Sequence, residues 1–240
     1  MKPLFDLHTH TLASGHAYST LKENIEAARE QGLEALGISD HAPAMPGTCH
    51  HFHFTNYRVI EKSLMGIRIV KGIEANIMDY EGSIDVKERI AKRLEYIIAS
   101  LHSPCIPYGT VKQNTGALIG AMAHPLVKII GHPDDDRYPL DYDELAAAAK
   151  QRGVFLEVNN SSFSPLSARQ NGEKNVRIML EACRRAEVPV ILGSDAHIWY
   201  DVGRMDKCIA ILRDMDFPME LVLNFRPDGL ETVLGEKTDR

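Results

Sequence analysis

Long apolar runs are missing from this chain of 240 residues. No stretch approaches the roughly 18 apolar residues that cross a bilayer, so no membrane association is expected. Cysteine is scarce: Cys49, Cys105, Cys183 and Cys208 lie far apart and form no Cys-x-x-Cys pair. A disulfide framework and a thiolate metal site are thereby excluded, and the thiols read as reduced. An excess of basic residues is also absent, with 27 Lys and Arg against 33 Asp and Glu and a formal net charge of −6. Nucleic acid is therefore not an expected partner. The opening stretch Met1-Lys2-Pro3-Leu4-Phe5-Asp6 carries no apolar core of a secretion leader, which points to the cytoplasm. Repeats, low-complexity segments and linker-like shifts in composition are missing as well, so 1–240 reads as a single domain. Homo-oligomer formation is left open.

What is present is an alternation. Short β-branched apolar runs occur at Leu4–His8, Ala35–Ser39, Arg68–Ile73, Tyr96–Leu101, Lys128–Gly131, Val154–Val158 and Val190–Gly193. Between them lie segments of helical period. Leu21, Ile25 and Ala28 share one face, Thr20 and Glu23 form a capping box, and Gly32 marks the stop. Asp141 to Arg152 is an Ala-rich helix ending at Gly153, and Asn175 to Ala186 is another. Strand and helix in steady alternation predict parallel strands with crossover helices, hence a barrel or a doubly wound α/β sheet.

The 11 histidines carry the functional signal. His8 and His10 follow the first strand, His41 the second, Glu74 the third, His102 the fourth and His132 the fifth, while Asp195 and His197 follow the seventh. In parallel α/β folds the carboxyl ends of all strands open onto one face, so these distant residues converge. Imidazole and carboxylate ligands without thiolate suit Zn2+, Mn2+ or Fe2+. Two or three such ions a few Å apart clamp an oxyanion and bring the pKa of a bridging water towards neutrality.

The strings DLHTHT, ISDHA, GIEAN, ASLH, GHP and GSDAH, in this order, resemble the PHP (polymerase and histidinol phosphatase) metallophosphoesterases. The chain is most similar to the small stand-alone bacterial phosphatases of that family. The resemblance implies a distorted seven-stranded (β/α) TIM-like barrel and a trinuclear centre, usually of zinc. It implies one metal on His8, His10, Glu74 and Asp195, with Glu74 bridging to a second on His102 and His132. A third would sit on His16, His41 and His197. The activity implied is hydrolysis of a small phosphate monoester by a metal-bridged hydroxide.

Other residues are open to two readings. Asp6 and Asp40 adjoin ligands and either orient an imidazole or cap a strand end. Asn159, Ser161, Arg169 and Arg204 follow late strands and are candidates for substrate contact, although turns and solvated loops also use such residues. The segment Thr48–Tyr57, with Cys49-His50-His51-Phe52-His53, is expected to wall the pocket mouth, and His124 is expected to be structural, a cation-capable residue near a helix C-terminus. A phosphodiesterase or nuclease of the same family is the alternative activity. An amidohydrolase is disfavoured because His16, His41 and His197 would have no purpose in it, and a structural module because the ligand set is intact.

Overall fold

The apolar runs become short parallel strands and the helical segments become the crossovers between them, in a computed structural model that describes residues 2–235. The ends of the 1–240 domain reading, Met1 and 236–240, lie outside the described residues. Strand β1 (Phe5–Asp6) leads through α1 (Leu21–Gln31) to β2 (Ala35–Ile38). A helical turn, α2 (Phe52–Thr55), precedes a small hairpin of β3 (Ser63–Leu64) and β4 (Ile67–Lys71), and β5 (Glu74–Asn76) follows at once. Then come α3 (Glu88–Ala91), β6 (Ile97–Ser100), α4 (Val111–Ala121), β7 (Val127–Ile130) and α5 (Tyr142–Arg152). The chain continues through β8 (Phe155–Asn159), α6 (Gly172–Ala186), β9 (Val190–Gly193), α7 (Asp206–Asp214) and α8 (Gly229–Leu234).

The strands form two ladders, β1-β2-β4-β3 and β5-β6-β7-β8-β9, parallel except for the β3–β4 hairpin. Single parallel bridges join them where the strands end, His41 to Glu74 on one side and Thr9 to Ala196 on the other. Since β4 and β5 are two parts of one course broken at Gly72 and Ile73, seven strand positions surround the axis: β1, β2, β4 with β5, β6, β7, β8 and β9. This is the distorted α/β barrel expected from the sequence.

Alternation of side chains sorts the core into an inside and an outside. Phe5, Val70, Ile98, Ile129, Phe155 and Ile191 pack together within the ring, whereas Ile97, Ile130, Leu156 and Leu192 join the larger core beneath the helices. Tyr96 crosses the interior and its hydroxyl donates to the Leu7 carbonyl. A Cβ at Gly72 would come within 2.2 Å of the Tyr96 ring, and one at Gly37 within 2.2 Å of its hydroxyl, so both positions exclude side chains.

The break between β9 and β1 is sewn by one residue from the C-terminal segment. Asn224 is fully buried. Its Oδ1 accepts from the Leu192 amide at 2.7 Å, and its Nδ2 donates to the carbonyls of Phe5 (3.0 Å) and Leu192 (2.9 Å). An amide side chain thus satisfies backbone groups that a continuous ladder would have paired. Leu223, Leu230 and Val233 close the amino end of the barrel below it.

Helix boundaries follow local chemistry. The Thr20–Glu23 capping box forms, and Gly32 ends α1 in the left-handed region at φ 66°. A second box, Thr110 with Gln113, starts α4. His124, beyond α4, has a structural part: its Nδ1 accepts the Leu126 amide, and burial lowers its pKa, away from the cationic form. Among the described residues no helix is long and apolar enough to cross a membrane.

Candidate metal centre

At the carboxyl end of the barrel, Glu74 begins β5 and is fully buried. Its two oxygens face different histidines. Oε1 lies 2.9 Å from Nε2 of His132 and 3.1 Å from Nε2 of His102. Oε2 lies 2.7 Å from Nδ1 of His41 and 3.5 Å from Nε2 of both His8 and His10. Asp195 approaches the same two nitrogens, with Oδ1 3.5 Å from His8 and 3.3 Å from His10. Burial alone would raise the Glu74 carboxyl, but His41, His102 and His8 more than reverse this and hold it well below the usual carboxylate range.

These distances test whether ions fit. The Nε2 atoms of His8 and His10 and Oε2 of Glu74 are buried without a hydrogen-bond partner, which ordinarily costs about 1–3 kcal/mol per group. At 3.3–3.5 Å the His8 and His10 contacts are long for hydrogen bonds. Two ligands on one tetrahedral ion at about 2.1 Å stand roughly 3.4 Å apart. Four overlapping groups can each place their ligand atoms within 4.8 Å of one another: His8 with His10 and Glu74, His8 with His132 and Asp195, His41 with Glu74 and His102, and His10 with His41 and His197. The residues present fit divalent cations.

His16 is exposed and joins from the rim, its ring 4.9 Å from that of His41 and 4.8 Å from that of His197. The nine metal-ligand candidates therefore lie in one contiguous cluster. Within it the His41–His197 pair is also completed by His10, whose ring centroid is 4.2 Å from that of His197. Two of the nine sit in left-handed backbone, His132 at φ 31° and Asp195 at φ 55°. Such strain in non-glycine residues costs about 1–3 kcal/mol and clusters at functional sites.

A ring of supporting groups aims the imidazoles. Nδ1 of His8 meets Oε1 of Glu157 at 2.7 Å, and Nδ1 of His102 meets Oδ1 of Asn76 at 2.7 Å. Nδ1 of His10 meets Ser14 Oγ at 3.0 Å, and that hydroxyl donates to Asp40 at 2.7 Å. Asp40 also accepts from the Thr11 amide and hydroxyl and contacts His53 at 3.3 Å; despite burial, contacts with His53, His10, Thr11 and Ser14 bring its pKa down to about 2. Asp6 touches no imidazole: it accepts from the Ser194 hydroxyl, from the Gly203 amide at 2.9 Å and from the His8 amide at 3.2 Å. Burial raises its pKa and those hydrogen bonds only partly offset the rise. Glu157, Asn76 and Ser14 were not singled out from sequence. A carboxylate within the apolar run Phe155-Leu156-Glu157-Val158 was the available signal for the first.

A cavity of about 410 Å³ opens beside the cluster. The segment Thr48–Tyr57 does not line it, contrary to expectation. Its walls are Met45 after β2, Ser103 and Pro104 after β6, the loop after β7 with Asp135, Arg137 and Tyr138, and, after β8, Ser161 with Leu166 to Arg169. The Thr48–Tyr57 segment instead packs behind the site, with Phe54 and Tyr57 buried in the core.

The four substrate-contact candidates separate. Ser161 and Arg169 line the cavity. Arg169 donates to Asp195 Oδ2 at 2.7 Å, to Asn159 Oδ1 at 3.2 Å and to Ser162 Oγ at 3.1 Å. Asn159 is buried beneath it, donating to Glu157 at 3.0 Å and to Asp195 at 3.3 Å. Arg204 stands apart, half exposed and paired with Asp201 at 3.1 Å.

Comparison with known proteins places this geometry. A model of the PHP domain matches residues 6–161. A probable phosphatase of Caldanaerobacter subterraneus subsp. tengcongensis is 47% identical over 100% of this chain and 94% of its own length. Another, of Clostridium novyi, is 42% identical over 99% of this chain and 96% of its own. Among solved structures, a histidinol phosphate phosphatase from Lactococcus lactis, in complex with zinc, L-histidinol and phosphate, aligns with a TM-score of 0.63 at 19% identity, covering 91% of this chain and 95% of that one. A putative histidinol phosphatase from Listeria monocytogenes aligns with a TM-score of 0.61 at 18% identity, covering 85% and 99%. At those identities the likeness is one of fold.

Proposed function

The chain belongs to the PHP domain family, and on that premise we propose that it is a phosphatase taking a small phosphate monoester at a centre of three divalent metals, Zn2+ foremost, with 1–240 acting as one barrel domain. The observation that carries this reading is the division of Glu74, one oxygen towards His102 and His132 and the other towards His8, His10 and His41. A buried carboxylate shared between two sets of imidazoles is how adjacent ions are held in common, whereas closed structural sites keep a separate tetrahedron each. Similarity to probable phosphatases over the whole chain supports the reaction class, and the zinc in the Lactococcus lactis structure supports the choice of ion. When bound, such ions supply Lewis acidity towards phosphoryl oxygens and an activated water.

The chain's own residues prepare the site. Glu157, Ser14 with Asp40, and Asn76 each engage the Nδ1 of a histidine and leave its Nε2 directed at Glu74 or Asp195. Arg169 fixes Asp195 through Oδ2, so Oδ1 stays turned towards His8 and His10. The same guanidinium borders the cavity, so its positive charge would face the phosphoryl oxygens of a bound substrate. Ser161 offers a further polar contact from the same wall.

The cavity favours a monoester over a nucleic acid. At about 410 Å³ it is walled by the loops after β2, β6, β7 and β8 and bordered by two arginines, not by a basic, aromatic-lined groove. Steady-state hydrolysis of phenyl phosphate against a diaryl phosphodiester tests the reading. Faster monoester turnover supports it, and a diester preference transfers the assignment to a phosphodiesterase.

A further inference from the structure

The cavity has a second charged feature remote from the role of Arg169. Arg137 borders it from the loop after β7. Its Nε lies 3.0 and 2.9 Å from the two oxygens of Asp135 and its Nη2 2.6 Å from Oδ2, so Asp135 occupies one edge of the guanidinium. Nη1 donates to the Tyr108 hydroxyl at 3.1 Å, and the guanidinium carbon stands 5.5 Å from the centre of that ring. The side chain is pinned on two sides before any ligand arrives, which removes most of the entropy cost of using a long cation for recognition.

The pair presents its cation rather than its anion. The carboxylate of Asp135 also accepts the backbone amides of Arg137 and Gln170, and its side chain is 10% exposed against 26% for Arg137. Asp135 therefore acts as a holder, and one N–H on each of Nη1 and Nη2, beyond those given to Tyr108 and Asp135, remains for a ligand. Arg169, by contrast, is engaged by Asp195, Asn159 and Ser162 beside the metal cluster. Leu101, Pro104, Tyr138 and Leu166 supply apolar wall in the same cavity. A volume of about 410 Å³ holds far more than a phosphoryl group.

Resting on the phosphatase reading, we propose that Arg137 recognises the leaving group, and that the ester this site takes carries a second anionic group, a carboxylate or another phosphate, at the end remote from the scissile bond. The apolar wall then lies along the body of the leaving group, and the guanidinium edge receives the anion end-on.

The test uses the metal-loaded full chain and three probes of similar shape: phenyl phosphate, 4-carboxyphenyl phosphate and hydroquinone bisphosphate. The wild-type protein is expected to have the higher kcat/KM for the two anion-bearing esters, through lower KM. Arg137→Ala reduces that preference by about tenfold, the worth of a charge-assisted hydrogen bond, and Arg137→Lys restores part of it. The phenyl ester, measured on each variant, reports any general loss of folding or of metal. Equal losses on all three esters in Arg137→Ala would make the Asp135–Arg137 pair a loop clasp and overturn the proposal, as would a wild-type preference for phenyl phosphate, which lacks the second anion. A preference for one anionic ester alone assigns the subsite to carboxylate or to phosphate. Absence of turnover on all three by the wild-type protein would remove the phosphatase reading and this proposal together.

Discussion

Glu157 stands 2.7 Å from Nδ1 of His8, with both side chains 1% exposed, inside the barrel and directly beneath the metal cluster. The contact decides which nitrogen of His8 is turned upward, and the second oxygen of Glu157 accepts the His132 amide at 2.8 Å. One carboxylate thus positions two members of the cluster without belonging to it.

Replacing Glu157 by Gln keeps the shape and removes the charge. Zinc affinity, measured by competition with a chromophoric chelator, is expected to fall about 10- to 100-fold while far-UV circular dichroism is unchanged. Unaltered affinity would show that the His8 contact is packing alone.

Gly193 offers a second route to the same group. A Cβ there would lie 1.9 Å from Oε1 of Glu157 and 3.1 Å from the Cβ of His8, so Gly193→Ala pushes the carboxylate off His8 and crowds the base of that imidazole. The expected outcome is weaker metal binding of the same sign as in Glu157→Gln. Combining the two is expected to cost less than the sum, because both act through one contact.

Most of the candidate histidines were legible because they stand where an apolar run stops, and strand ends of a parallel fold share one face; His16 came only from the resemblance. Glu157 was not, because Phe155-Leu156-Glu157-Val158 reads as an ordinary strand until it is known that 157 points inward. The third run, Arg68–Ile73, holds only β4, and β5 (Glu74–Asn76) starts beyond it; Gly72 at the break is needed because Tyr96 occupies the space of a side chain there, a long-range constraint without local signal. Helix α4 carried its capping box, Thr110 with Gln113, in plain sight, yet its apolar face is interrupted by polar Asn114 and Thr115, both buried. The cavity walls were misplaced because Thr48–Tyr57 has the aromatic and histidine content of a binding loop, while Phe54 and Tyr57 spend it on the core.

Asn224 is expected to matter for stability and not for chemistry. Asn224→Ala strands the Leu192 amide and two carbonyls in a buried seam. Urea denaturation is expected to show a loss of roughly 2–4 kcal/mol. A loss below about 0.5 kcal/mol would mean that the β9–β1 gap needs no stitch.

Removing metal leaves Glu74, Asp195 and the facing histidines buried without their partner. Exhaustive chelation is expected to lower the unfolding free energy by roughly 3 kcal/mol or more and to abolish turnover, with both recovered on adding Zn2+. A thermal midpoint indifferent to chelator would separate the cluster from metal binding.

The most direct measurement is metal content per chain of the purified protein by plasma mass spectrometry, paired with phenyl phosphate hydrolysis on the same sample. The expected result is three ions per chain with turnover that chelator removes. Two ions or fewer in a fully loaded sample, without phosphatase activity, would contradict the trinuclear phosphatase and return the site to amide hydrolysis or to a structural role.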